Sequence, residues 1–511
     1  MIQINRLTFT CFAALGLVLA ATPAASAATS PPPPSAVSAA GDPVGSIAWH
    51  PCAMNAQDEE GKTLDEAGVE CGDVTVPVNY AKPRGRTMTV AIARSRATDQ
   101  TRRIGSLIIN LGGPALPVLS VVPLARDAMG QAGSRFDLIG MDPRFSGRST
   151  PLDCHWPGSW LPRSAGADRE SFDRMVALAR DLAKRCGQTH AADIPYASTA
   201  NTARDIDTIR AALGESKMSY LGYSQGTFLG AVYAQMFPQR VDRLVLDSAV
   251  NPTRPGTYLL RDGEPGRQAA LGEWAEWAAA RDDEFGLGST AKEVLATVNE
   301  VYAASARKPL KIGGYAIDDT VVPAIIIRSL SDDATNAELA ETVATLSAIA
   351  KGGTGELTES LADVLSSVLT DAESALHSPQ TAIMCGDAAA PRNPRWYWRD
   401  IQAHRAASPL FAPMSRTITP CAFWPNSPLE RPVHIANGVP ALIVQAEKDI
   451  NSQLPGARKM HQALKGSRMV TLQGARTHGV YGFRGASCVD DSVNAYLESG
   501  SMPQADVTCT E

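Results

Sequence analysis

Gly222-Tyr223-Ser224-Gln225-Gly226 is the segment in which residue type and spacing most directly specify a chemistry. It fits G-x-S-x-G, follows the β-rich run Met218-Ser219-Tyr220-Leu221 and precedes the helical spacing of Thr227–Phe237, which predicts a sharp strand-to-helix turn with the serine at its apex. The glycines leave space where a Cβ would obstruct such a turn, and the helix N-terminus beneath the serine favours negative charge developing there. A serine hydroxyl attacks a carbonyl only when a base takes its proton. The chemistry is therefore acyl transfer, and it requires a histidine and an orienting carboxylate from elsewhere in the chain.

In a sheet built around such a turn the partners follow in the order Ser, then Asp or Glu, then His. Of the eight histidines, His478 in Arg476-Thr477-His478-Gly479 comes just past Arg468–Leu472, read as the last strand. His434 precedes the penultimate strand and His461 falls inside a helix expected over about 455–464, so neither reaches the site. Asp449 leaves the strand Pro440–Gln445 through Ala446-Glu447-Lys448, with room for a helix and a strand before His478. It would fix the imidazole tautomer and stabilise the imidazolium. Glu447, and Asp247 at the end of Leu244–Leu246, are the alternative acids. The tetrahedral oxyanion needs amide donors. Those expected are Gln225 and, in the loop after the strand Ser106–Asn110, Gly112 and Gly113. Asp142 and Arg144, after the strand Phe136–Gly140, are expected to brace neighbouring loops.

The elements that must position these residues alternate strand and helix over 46–251, including the helix Ala203–Leu213, and again over 433–511, with a closing helix at Val489–Leu497. Such alternation predicts an α/β fold with a mostly parallel sheet. Between them, 252–432 is rich in Ala and Glu and helical in pattern, an inserted lid in which Trp274 and Trp277 share one helix face and pack a core. The net charge of −6 and the lack of a basic block argue against nucleic acid as a partner.

The N-terminus sets the compartment. Arg6, the apolar run Leu7–Ala21, Pro23 and Ala25-Ser26-Ala27 read as a signal peptide over 1–27, followed by a stiff Pro/Ser/Ala-rich tether over 28–45 that contains Pro31–Pro34. No later run is long and apolar enough to span a bilayer, so no stable membrane insertion is expected after processing. Cys11 leaves with the signal, and an even set remains in the exported chain: Cys52, Cys71, Cys154, Cys186, Cys385, Cys421, Cys488 and Cys509. Many connectivities are open; the preferred one joins sequence neighbours. No C-x-x-C knuckle occurs, so no metal or other cofactor is expected. A monomer is expected.

The runs Phe136–Cys154, Tyr220–Pro252 and Pro440–Asp449, and His478 with the Cys488–Cys509 tail, resemble the secreted tripeptidyl-aminopeptidase-like serine hydrolases of actinobacteria, relatives of the proline iminopeptidases. The likeness runs from about Trp49 to Cys509. It implies an α/β-hydrolase fold with an inserted helical lid and release of short peptides from a free N-terminus. The family motifs fall on Ser224, Asp449 and His478. Where that family has N-P-G-G-P-G-G-S-G, this chain reads Asn110-Leu111-Gly112-Gly113-Pro114-Ala115-Leu116-Pro117. Gln225 stands where the family favours an aromatic, and Phe145 replaces a usual glycine. These departures leave two substrate classes open. In an exopeptidase a lid carboxylate, with Glu264, Glu273 and Glu276 among the candidates, would hold the substrate ammonium. The alternative is a secreted esterase or amidase acting on a small or lipophilic molecule with the same triad.

Overall fold

The computed structural model describes residues 43–510. The signal peptide expected over 1–27, and all but the last residues of the 28–45 tether, lie outside the described residues. The strands are β1 (Ile47–His50), β2 (Glu70–Pro77), β3 (Thr87–Ser95), β4 (Gly105–Asn110), β5 (Phe136–Met141), β6 (Met218–Tyr223), β7 (Val241–Asp247), β8 (Leu310–Ile312), β9 (Tyr315–Ile317), β10 (Leu442–Ala446), β11 (Arg468–Leu472) and β12 (Val507–Cys509). All but β8 and β9 join one sheet in the order β1-β2-β3-β5-β4-β6-β7-β10-β11-β12. From β5 through β4 to β12 the pairings are parallel; β1, β2 and β3 extend the sheet in antiparallel fashion.

Helices cover both faces, which is why β5, β6 and β10 read as continuous buried runs and not as alternating ones. Successive side chains still point to opposite faces. Ile108, Ile139, Tyr220, Leu244 and Ile443 pack on one side with Ala203, Ile206 and Ile209 of the helix Thr199–Ala212. Leu107, Leu138, Leu221, Val245 and Val444 pack on the other with Met129, Val489, Val493 and Leu497.

The chain leaves the sheet after β7 and returns at β10, which lies beside β7 in parallel register. The helical segment between them has its own core around Val298, Ile326, Leu339, Leu365 and Phe411. Trp274 belongs to that core, fully buried, and its Nε1 donates to the Asn336 carbonyl at 3.0 Å. Trp277 is only partly buried and stacks on Phe285 with ring centroids 5.8 Å apart. The cysteines pair 52–71, 154–186, 385–421 and 488–509.

Several elements went unread in the sequence: β1 and β2, the β8–β9 hairpin, the long helix Arg169–Thr189 and β12. His478 therefore follows β11 but not the last strand, because Val507–Cys509 adds an edge beyond it.

Asp142 and Arg144 brace loops at the C-terminal ends of the strands. Asp142 accepts from the amides of Val118 and Arg148, each at 2.8 Å, and burial pushes its carboxyl up to about 6. Arg144 and Asp205 are both fully buried and meet in a fork, Nε to Oδ2 and Nη2 to Oδ1, each at 2.7 Å. Removing one member of such a pair strands the other charge without solvent. Asp205→Ala is expected to lower unfolding stability by about 3–5 kcal/mol in urea titrations; a loss well under ~1 kcal/mol would show that Arg144 is held by the carbonyls of Val78 and Tyr196, to which its Nη1 donates at 3.3 and 3.1 Å.

Candidate active site

Ser224 joins β6 to the helix Gln225–Met236 with φ of 54° and ψ of −126°, outside the ordinary range for a residue with a side chain. The turn closes only because its neighbours are glycines. A Cβ on Gly222 would lie 2.7 Å from the Gly226 carbonyl oxygen, and one on Gly226 would lie 2.5 Å from Asn110 Oδ1. The Ser224 amide donates to the Asp247 carbonyl at 3.0 Å, and Thr227 returns its amide and hydroxyl to the Ser224 carbonyl. Ser224 keeps some exposure while Tyr223 and Gln225 beside it are buried.

Asp449 sits just past β10 with its side chain wholly buried. Its Oδ1 accepts from the amides of Asn451 at 2.8 Å and Ser452 at 3.0 Å, and its Oδ2 lies 2.8 Å from His478 Nδ1. The amides and the imidazole together replace the water that the carboxylate loses. The alternative acids do not bond the ring. Glu447 is exposed and accepts from the Gly474 amide at 2.8 Å. Asp247 is buried and turned to the backbone after the histidine, accepting from Val480 and Tyr481. Of the other histidines, His461 bonds Ser467 Oγ at 2.7 Å and His434 is exposed on the chain before β10. Burial opposes protonation of His478, but the Asp449 charge and hydrogen bond, with the Asp247 charge behind them, outweigh it and hold the imidazole above its ordinary value.

The loop after β4 runs against the serine turn. Gly112 has φ of 90°, and a Cβ there would fall 2.5 Å from the Tyr223 carbonyl oxygen and 2.9 Å from the Gln225 nitrogen. Its amide donates to Asn110 Oδ1 at 3.0 Å. Gly112 is a close spacer against the serine turn, and its amide is engaged by a side chain two residues back. A Cβ on Gly113 would lie 2.9 Å from Gln380 Nε2. Gln380 belongs to the inserted helix Ser374–Asp387 and is 5% exposed. No pattern in the sequence placed that helix over the loop. Asn110, Pro114, Ala115, Gln225, Leu229 and Ile383 line a cavity between loop, serine helix and insertion.

The insertion carboxylates singled out in the sequence are paired or exposed. Glu264 is buried in an ion pair with Arg416 at 2.8 Å, Glu273 pairs with Lys448 at 2.9 Å, and Glu276 is exposed. Among the described residues, no group of three or more His, Cys, Asp or Glu side chains could hold a metal ion.

A strained serine on a strand-helix turn and a buried carboxylate–imidazole pair, both at the C-terminal edge of a mostly parallel sheet, define a serine hydrolase of the α/β-hydrolase class. The comparisons agree. The family "alpha/beta hydrolase fold" matches residues 107–344 and the family "TAP-like protein" matches 408–509. The tripeptidyl aminopeptidase of Streptomyces coelicolor is 35% identical over 491 residues, covering 93% of this chain and 88% of that protein. Serine protease Hip1 of Mycobacterium tuberculosis is 30% identical, with 91% of each chain covered, and a carboxylesterase B of the same species is 29% identical, over 90% of this chain and 89% of that one. The chain belongs to the tripeptidyl-aminopeptidase family of α/β-hydrolases and is a serine hydrolase.

An NMR titration of His478 tests the electrostatics. The imidazole is expected to titrate above ~6.5, and Asp449→Asn, which removes the strongest raising charge, is expected to bring it down. An unchanged midpoint in that variant would mean that another group holds the proton.

Proposed function

We propose that this chain is a secreted exopeptidase that releases short peptides from free N-termini, with Ser224, Asp449 and His478 as its catalytic triad. The observation that carries the reading is the 2.8 Å contact between His478 Nδ1 and Asp449 Oδ2, at strand ends of the same sheet edge that carries the strained Ser224. Ser224 Oγ attacks the scissile carbonyl while His478 takes its proton. The Gln225 and Gly113 amides receive the oxyanion. His478 then protonates the leaving amine, and water, activated by the same imidazole, hydrolyses the acyl-enzyme. Gln380 Nε2, beside Gly113, offers a further donor to a carbonyl of the bound peptide. Burial in the oxidising space outside the cell suits a chain stapled by four disulfides. Among the described residues, no helix is long and apolar enough to cross a membrane.

The exopeptidase reading draws on the likeness to tripeptidyl aminopeptidases and on the inserted helix beside the oxyanion loop, which would limit the chain length that enters. One observation favours an esterase or amidase acting on a small acyl substrate. The insertion carboxylates named above are paired or turned to solvent, so none of them is a free anchor for a substrate ammonium.

Two experiments test the proposal. Tripeptide anilides with a free amine are expected to be hydrolysed with kcat/KM at least about tenfold above their N-acetylated counterparts and above short acyl esters, since a desolvated ammonium contact is worth ~1.4 kcal/mol or more. Indifference to acetylation, with efficient ester hydrolysis, would instead select the esterase reading. Ser224→Ala is expected to reduce turnover by roughly 10⁴-fold or more, leaving what binding and the oxyanion donors supply.

A further inference from the structure

One buried carboxylate at the edge of the site takes no part in the triad. Asp247 ends β7, between β6, which carries Ser224, and β10, which leads to Asp449. It is fully buried. Its main-chain carbonyl accepts the Ser224 amide at 3.0 Å. Its carboxylate accepts the Val480 amide at 3.0 and 3.2 Å and the Tyr481 amide at 2.7 Å, the backbone two and three residues past His478. The remaining amide of that stretch, Gly479, donates at 2.8 Å to Ser248 Oγ, which in turn donates to Asp247 Oδ1 at 3.0 Å. Ser248 takes φ of 56° to present its hydroxyl there. Tyr223, next to the nucleophile, closes the ring by donating its hydroxyl to the Tyr481 carbonyl at 3.0 Å.

A carboxylate needed only for folding could be held by any loop. Here a single residue grips the nucleophile through its main chain and the base through its side chain. We infer that Asp247 is a positioning residue that sets the register of His478 against Ser224 and places a second negative charge behind the imidazolium. This rests on the triad reading above and adds a residue to it.

The chemistry of the clamp makes it sensitive to pH. Burial raises the Asp247 carboxyl to about 7, against the pull of the Tyr481 and Val480 amides, the Ser248 hydroxyl and the nearby His478. The groups that face it are His478 and Tyr481 from the loop after β11, Tyr223 from β6 and Ser248 on its own strand end, while β10 presents Val444 opposite it and Asp449 beyond. Above neutrality the carboxylate is charged: it holds the amides firmly and supports the imidazolium. Below neutrality it takes a proton, the amide acceptors weaken, and His478 loses one of the charges that raise it. An asparagine at 247 imitates that protonated state at every pH.

The test is a pH series of kcat and KM for wild type and Asp247→Asn, on whichever anilide or ester the wild type hydrolyses, after mass spectrometry of a fluorophosphonate adduct. Failure to label Ser224 in the wild type would overturn the triad reading itself; labelling at Ser224 leaves only the clamp in question. At pH 8 the variant is expected to lose about 10- to 100-fold in kcat, the scale of a misplaced catalytic group, with KM within about twofold because Asp247 touches no substrate. Towards pH 6 the gap should narrow, since the wild-type carboxyl is then protonated, and the acid limb of the variant should be shallower. A constant deficit at all pH values would overturn the electrostatic role, and wild-type kcat at pH 8 would overturn the clamp. Should Asp247→Asn fail to fold by circular dichroism, Ser248→Ala decides: it frees the Gly479 amide and leaves the carboxylate in place. A drop of about tenfold in kcat at constant KM supports the clamp, and no change overturns it.

Discussion

A carboxylate with no water around it, bonded to an imidazole that keeps one side open, is the interaction on which the rest of this molecule depends. The Asp449 side chain is wholly buried while that of His478 is 26% exposed. The asymmetry matters. The acid cannot be solvated, so its charge is directed into the ring and the amides of Asn451 and Ser452. The ring, still partly open, can exchange a proton with whatever lies beyond it. Stripping a carboxylate of water is expensive unless each oxygen finds a partner. The turn after β10 supplies those partners before the imidazole arrives.

The fold delivers the groups by lining up strand ends. β6, β7, β10 and β11 lie side by side and run parallel, so the turns after them emerge along one edge. Each strand end carries one part: Ser224 after β6, Asp247 and Ser248 at the end of β7, Asp449 after β10, His478 after β11. The strain at Ser224 is tolerated because its amide, its carbonyl and both flanking glycines are fixed by neighbours that cannot move independently. The insertion then roofs the edge, with the helix Ser374–Asp387 reaching over the loop after β4.

Much of this was legible in the sequence, and what was not has identifiable causes. The serine turn, β10 and β11 announce themselves because buried parallel strands are short apolar runs closed by turn residues. The edge strands β1 and β12 do not, since an edge strand is defined by its partner and Val507–Cys509 has no periodicity to read. That the Gly112 amide meets Asn110 depends on a side chain whose direction no spacing reveals. Glu264 could be placed on a helix but not on a face of it, and packing turned it to Arg416. Asp247 was visible as a possible acid. A charged residue at a strand end reads the same whether it meets a ring nitrogen or, as here, the amides beyond it.

The most direct test of the account is a crystal structure of the enzyme after reaction with an organophosphonate, whose tetrahedral phosphorus stands in for the acyl-transfer intermediate. The expected result is a covalent bond to Ser224 Oγ, the phosphoryl oxygen within hydrogen-bond distance of the Gln225 and Gly113 amides, and His478 still joined to Asp449. An adduct on another residue, or one on Ser224 whose oxygen points away from both amides, would contradict it.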